Sequence, residues 1–285
     1  MKSICFFSSY FKGNEIPYYI KFYLEELSVH FSETVFITTE KDLLPTDKSF
    51  LEKKNIQLML VKNEGYDFGM WYKAFEKYKT DTYDYIGLVN DSCVLFKKLD
   101  FVFDYFNKEK PDYFGLTDTY LLDYHVQSYF LLIGKKAIPF LKEYFSKNGI
   151  IHQLDNVIKT YEIGLSQFMI KQGMNVKALY SYTRENGQYN PTLLNAKSLI
   201  EQGYPLVKKR IISREYGAIK WRSMVANGFD ANPENYIKLI KKETNFPYID
   251  NIFSSVISPK GIWQELLFNI NEALGRMYYI VKNKK

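Results

Sequence analysis

Strand-length apolar runs alternate with stripes of helical spacing through the first half of this chain, and that rhythm admits few architectures. Ile4 to Ser8 is a short apolar run; Ile16, Ile20, Leu24, Leu27 and Phe31 then recur at helical spacing, with Pro17 suited to a first helical turn. Val35 to Thr39 reads as a β-branched strand. Ile56 to Val61 (IQLMLV) reads as another, and its continuous apolar character predicts cover on both faces. Trp71, Ala74, Phe75 and Tyr78 make the next helical stripe, and Tyr85 to Val89 the next strand. Strands and helices in turn point to an α/β sheet with crossover connections, in which ligands collect at the carboxyl ends of the strands.

After Asp91 the rhythm loosens. Asp112 to Leu116 and Ser128 to Ile133 read as strands and Ala137 to Phe145 as a helix, so a mixed sheet is expected. Tyr161 to Gln172 places Leu165, Phe168 and Met169 on one helical face and stops at Gly173, a suitable residue beyond a helix end. Beyond Tyr180 helices dominate, around Leu193 to Gln202, Pro233 to Lys242 and Ile262 to Val281. The expected organisation is therefore a sheet domain over 1–180 and a mainly helical region over 181–285 that packs on it. The last helix aligns Trp263, Leu266, Leu267, Ile270, Leu274, Met277 and Val281 in one stripe, with Lys282, Lys284 and Lys285 at its end. Such a helix docks either on the protein's own core or on an anionic membrane surface.

The composition, 46% apolar and 25% charged, excludes collagen-like, disordered and coiled-coil chains. No apolar run approaches the roughly 18 residues of a membrane span, and MKSICFF turns polar too soon for a signal-peptide core, so a cytoplasmic protein is expected. Cys5 and Cys93 lie in strand-like apolar runs and read as buried thiols, not as nucleophiles or disulfide partners. His30, His125 and His152 are scattered without zinc-site spacing. Of a formal net charge of +6, most is local: Lys208, Lys209, Arg210, Arg214, Lys220 and Arg222 stand against the single acid Glu215. That distribution suits one anionic ligand or surface, or a solvated helix face, and not nucleic-acid coating.

Four segments carry candidate chemistry. YIGLVNDS, residues 85–92, ends an apolar strand in Asn90, Asp91 and Ser92, where a carboxylate at a sheet edge could hold a divalent cation together with substrate phosphates, or simply end a strand in a turn. Asn63 to Gly69 (NEGYDFG) occupies another strand-to-helix junction; its glycines would permit close backbone approach to a ligand, and its helix-start amides suit anions. Glu162 reads as a helix-start acid, favoured there by the dipole and also able to act as a general base. His125, Gln127, Ser128 and Tyr129 enter a strand as polar and aromatic groups of the kind that meet sugar hydroxyls and rings.

The order of NEGYDFGMW, YIGLVNDS, HVQSYFLLIGKK, YEIGLSQFMIKQG and GYPLVKKRII resembles the rhamnan synthesis protein F family over about Met1 to Ile212. That family looks like GT-A-type glycosyltransferases of bacterial cell-surface polysaccharide assembly. The resemblance implies a Rossmann-type mixed sheet flanked by helices, and transfer of a sugar, with rhamnose or galactofuranose favoured, from a UDP- or dTDP-linked donor. The acceptor it implies is a growing polysaccharide or a polyprenyl-diphosphate-linked glycan at the inner face of the cytoplasmic membrane. It also implies that Asn90-Asp91-Ser92 replaces the usual Asp-x-Asp, so that Asp91 alone is the anionic ligand of Mg²⁺ or Mn²⁺. Ser8, Asn63, Gly65, Tyr66 and Asp67 would join these residues in seating the donor, and Glu162 would be the base of an inverting transfer. Ile163 stands where the family's acidic helix usually carries an Asp. A glycoside hydrolase using Asp91 and Glu162, and a noncatalytic carbohydrate-binding module, are the alternative readings.

Overall fold

The computed structural model describes residues 1–39 and 41–209, together with Gly228, Asp230, Ile270, Leu274 and Met277. Its first compact unit comprises Met1–Asp91, Leu99–Asp118 and Asp123–Ser181; the second comprises Ser92–Lys98, Thr119–Leu122 and Tyr182–Lys285.

The first unit begins with β1 (Ser3–Ser9), α1 (Tyr18–His30), β2 (Glu33–Thr39), α2 (Pro45–Lys53), β3 (Ile56–Val61), α3 (Tyr66–Lys77) and β4 (Tyr85–Asn90). These four strands are parallel, in spatial order β3-β2-β1-β4. After β5 (Cys93–Leu95) and α4 (Asp100–Glu109), the sheet continues through β6 (Tyr113–Thr119), β7 (His125–Val126) and β8 (Phe130–Gly134). Strand β8 lies antiparallel between β4 and β6, which makes the sheet mixed, as expected. Helix α5 (Ile138–Asn148) follows, then a continuous helical run and β9 (Val176–Tyr180), parallel to β6.

Alternation along β1 divides the core. Ile4 and Phe6 face α3 and α5 with Trp71, Phe75 and Leu141, while Phe7 packs against Tyr23 of α1 at a ring-centroid distance of 5.1 Å. Trp71 is fully buried, and its indole Nε1 donates to the Phe6 carbonyl at 3.2 Å. Cys5 and Cys93 are both fully buried and free, and burial pushes both thiols above their ordinary pKa. They are the inert thiols the sequence suggests.

Two expectations are corrected. Strand β3 is not covered on both faces: it is the edge of the sheet, with Gln57 exposed and Leu60 43% exposed. Glu162 is not at a helix start either. The helical run begins at α6 (Leu154–Val157), passes through a π-helical segment (Ile158–Gly164) and continues as α7 (Leu165–Lys171). Its buried residues Val157, Tyr161, Leu165 and Met169 recur every four positions. In a helix of 3.6 residues per turn such a row drifts about 40° at each step; the wider π winding keeps it on the core. The run ends as read, with Gly173 at φ +73° and the Met174 amide bonded back to the Met169 carbonyl.

The described part of the second unit contains α8 (Pro191–Leu194), α9 (Ala196–Glu201) and β10 (Leu206–Lys208), the last paired antiparallel with β5. The helix read over Leu193 to Gln202 is thus two short ones, divided at Asn195. The helix read at Pro233 to Lys242, the basic stretch beyond Lys209 and most of Ile262 to Val281 lie outside the described residues. No helix among the described residues is long and apolar enough to cross a membrane.

Candidate active site

Parallel pairing of β1 with β4 sets Ser8 opposite Asn90 at the carboxyl ends of both strands. Consecutive strand residues face opposite ways, so Ser8 and Ser9 serve two different carboxylates. On one face, Ser8 Oγ donates to Asp67 Oδ1 at 3.1 Å and Asn90 Nδ2 to Asp67 Oδ2 at 2.9 Å. On the other, Ser9 Oγ at 2.9 Å and the Tyr19 phenol at 3.1 Å both donate to Asp91 Oδ2. Ser8, Ser9, Tyr19, Asn90 and Asp91 are all buried, and Asp67 is half-buried. The expected residues therefore fall into two polar clusters at the carboxyl ends of β1 and β4, Ser8, Asn90 and Asp67 on one face and Asp91, with Ser9 and Tyr19, on the other.

The junction before α3 is unusual in its backbone. Gly65 has φ +71°, and the next residue, Tyr66, has φ +57° while 45% exposed. A left-handed conformation in a bulky aromatic residue is an outlier, and such strain clusters at ligand sites. The glycines themselves serve packing and not ligand approach: a Cβ on Gly65 would meet Ile150 Cγ2 at 2.5 Å, and one on Gly69 the Glu64 carbonyl oxygen at 2.0 Å. Asn63 is exposed on the same loop. Asp67 lies in the first turn of α3, where the helix dipole favours its charge.

A second group is built by β7 and the helical run. Ser166 Oγ accepts from the Val126 amide at 3.1 Å, and the Gln167 side-chain amide donates to the Tyr124 carbonyl. His125 is buried, with Nδ1 2.9 Å from the Asp123 carbonyl oxygen. A carbonyl only accepts, so in the neutral ring Nδ1 carries the proton and Nε2 keeps its lone pair. Glu162, half-buried in the π-helical segment, adds its negative charge to burial in pushing up the Tyr113 phenol pKa, against a hydrogen bond from Ser166 that lowers it. Phe68, next to Asp67, stacks on Tyr161, next to Glu162, at 4.9 Å and 13°. This stack joins the Asp67 segment to the Glu162 segment.

The remaining expected residues are used otherwise. Gln127 and Tyr129 are buried and both bond to the Thr117 hydroxyl, at 2.7 and 2.6 Å. Ser128 is half-buried. Ser92 belongs to the second unit, where its Oγ is 3.2 Å from Lys208 Nζ and its carbonyl accepts from the Lys209 amide. Sequence reasoning missed Ser9 and Tyr19, which hold Asp91. It also missed Asp118, a fully buried carboxylate that accepts from Ser181 Oγ at 2.5 Å and from the Tyr124 phenol at 3.4 Å.

The Asp91 carboxylate and the Ser9 and Tyr19 hydroxyls beside it are oxygen groups, the kind of ligand a hard cation takes. Among the described residues no group of three or more His, Cys, Asp or Glu side chains is placed to hold a metal ion by itself. These residues thus fit a cation that takes most of its ligands from water and a substrate diphosphate.

A model of the family described as rhamnan synthesis protein F matches residues 35–271. The chain belongs to that family. The family's description ties the chain, as a transferase-type enzyme, to polysaccharide biosynthesis. Solved structures similar to the chain include a cytidylyltransferase from Leptospira borgpetersenii, at 16% identity and TM-score 0.43 over 90% of this chain and 99% of that one. A 4-diphosphocytidyl-2C-methyl-D-erythritol synthase from Anaerococcus prevotii is similar at 11% identity and TM-score 0.43, over 66% and 91% of the two chains. A putative glucose-1-phosphate thymidylyltransferase from Bacillus anthracis is similar at 12% identity and TM-score 0.42, over 64% and 87%. No curated protein matches the chain.

Proposed function

We propose that this family member is an inverting glycosyltransferase that moves a sugar from a UDP- or dTDP-linked donor to a hydroxyl of a growing cell-surface glycan. The observation that carries the reading is the pair of polar clusters at the carboxyl ends of β1 and β4, of which the Asp67 cluster is tied through the Phe68–Tyr161 stack to the segment bearing Glu162. The diphosphate lies at Asn90 and Asp91, and the strained Tyr66 and exposed Asn63 border the donor. Asp67, with both oxygens engaged by Ser8 and Asn90, acts as a brace holding β1, β4 and α3 in register. Glu162 takes the proton of the acceptor hydroxyl while that oxygen bonds to the anomeric carbon. The bond from the anomeric carbon to the diphosphate breaks, and its electron pair leaves with the nucleoside diphosphate. The location of Glu162 in a π-helical segment supports this role, because such segments recur at functional sites.

His125 Nε2 accepts a hydrogen bond from a sugar hydroxyl and orients it, with Ser128 as a second polar contact to the sugar. Gln127 and Tyr129, both bonded to Thr117, hold that strand entry from the core. Mg²⁺ or Mn²⁺, when bound at Asp91, supplies positive charge against the departing diphosphate. Rhamnose and galactofuranose are the favoured sugars, and a polyprenyl-diphosphate-linked glycan the favoured acceptor.

A thermal-shift panel of UDP-, dTDP- and GDP-sugars, with and without Mn²⁺, checks donor recognition. A UDP- or dTDP-sugar raises the melting temperature and free monosaccharides do not; at a ligand concentration of 100 Kd the stabilisation is about 2.7 kcal/mol. A panel in which only free sugars or oligosaccharides shift the transition overturns the reading.

A further inference from the structure

The transfer chemistry leaves one buried acid without a role. Asp118 is the last residue but one of β6, and β6 runs parallel to β4 because both are antiparallel to β8. Asp118 therefore stands at the same carboxyl edge of the sheet as Ser8 and Asn90. Its neighbour Thr117 faces the other way, towards Gln127 and Tyr129. Asp118 is fully buried, and a carboxyl so placed needs donors within reach. Ser181 Oγ, just past β9, donates to it at 2.5 Å and the Tyr124 phenol at 3.4 Å.

Tyr124 precedes His125. Its carbonyl accepts from the Gln167 side chain, and the Val126 amide donates to Ser166, so α7 and β6 both hold this turn. Within the turn the Asp123 carbonyl takes the Nδ1 proton of His125. The ring is buried, and among the described residues its Nε2 has no partner, although a buried polar nitrogen ordinarily finds one. Tyr124 and Glu162 flank the same Tyr113 phenol, whose pKa is raised by burial first and then by the charges of these neighbours.

We propose that Asp118 is a positioning residue: through the Tyr124 hydroxyl it fixes the turn at 123–126 and so keeps His125 Nε2 in place as the acceptor for a sugar hydroxyl. Its use rests on the transfer reaction proposed above; its geometry does not. A neutral imidazole lone pair accepts from an O–H and offers nothing to a phosphate oxygen, so the group served belongs to the sugar and not to the diphosphate. Such placement matters, because a shift of about 1 Å in a substrate contact can cost about 10² in rate.

The chain has three histidines, so nitrogen-15 labelling of histidine in the full chain, without donor, makes the His125 ring observable by NMR. The native chain shows one neutral ring held as the Nδ1-protonated tautomer, and His125→Ala removes that signal. Tyr124→Phe, which deletes only the hydroxyl, and Asp118→Ala each turn it into a mixture of both tautomers. Tyr124→Phe does so at unchanged melting temperature, and decides the matter should Asp118→Ala lose its fold. With dTDP-rhamnose and an acceptor glycan, both variants lower kcat about tenfold or more while donor KM changes less than about twofold. In a His125→Ala background neither lowers kcat further. An unchanged His125 signal in Tyr124→Phe, or equal losses of kcat with and without His125, overturns the proposal and leaves Asp118 as a brace for Ser181 alone. A native chain that transfers no sugar would contradict the proposed function, while the spectrum would still decide whether Asp118 and Tyr124 hold His125.

Discussion

Replacing Glu162 by Gln slows sugar transfer by orders of magnitude while leaving donor binding intact. The substitution keeps the shape of the side chain and its place in the π-helical segment, but a neutral amide has no lone pair basic enough to take the hydroxyl proton. A positioned base contributes about 10² to 10⁴ in rate, so kcat falls by that factor while donor affinity, measured by calorimetry, changes less than twofold. Because Glu162 is half-buried, with Tyr113, Tyr144 and Ser166 near it, a merely structural role would appear as a lower melting temperature. The account expects that temperature to hold. Full turnover in the Gln variant would remove the base assignment.

The second large effect is on Asp91. Here Asn is the informative substitution, since its amide oxygen can still accept from Ser9 and Tyr19, whereas Ala would leave those buried donors unmatched at a cost of about 1–3 kcal/mol. Asp91→Asn therefore removes the charge while keeping the acceptor that Ser9 and Tyr19 use. Donor affinity in the presence of Mn²⁺ drops at least tenfold, equivalent to about 1.4 kcal/mol, and binding of the free nucleoside changes little, because the lost interaction is with the diphosphate end. Unchanged donor affinity would separate Asp91 from the diphosphate and make it a structural acceptor for Ser9 and Tyr19.

What the sequence disclosed and what it concealed follow a physical division. Strands β1, β2 and β4 are legible as unbroken apolar runs, buried on both faces, and helices α1 and α3 as apolar stripes at helical spacing. Strand β3 is equally apolar, yet it is an edge; the exposure of Gln57 and Leu60 depends on which strand neighbours it, and no local pattern encodes that. Helices α2 and α4 escaped notice because charged residues break up their apolar stripes. The short β5–β10 ladder pairs residues more than a hundred positions apart.

At the site the same division holds. Ser8, Asp67, Asn90 and Asp91 lie at strand or helix ends, where a polar residue interrupts an apolar run and can be seen. Tyr19 and Ser9 could not be seen that way. Tyr19 sits inside an apolar helical stripe, where a tyrosine reads as core, and only the fold shows that its hydroxyl reaches a carboxylate 72 residues away. Glu162 was visible as an acid, but its setting was not: a row of buried residues spaced by four is compatible with an ordinary helix until the π winding is seen.

The most direct test of the account is the identity of the first small molecule released when the purified chain consumes its donor with acceptor glycan present. Sugar transfer at the β1–β4 edge releases a nucleoside diphosphate in step with glycan extension, and the Glu162→Gln variant releases it about 10²- to 10⁴-fold more slowly. Release of pyrophosphate from a nucleotide triphosphate and a sugar phosphate, without glycan extension, would mean that the chain transfers nucleotidyl groups and would contradict the account.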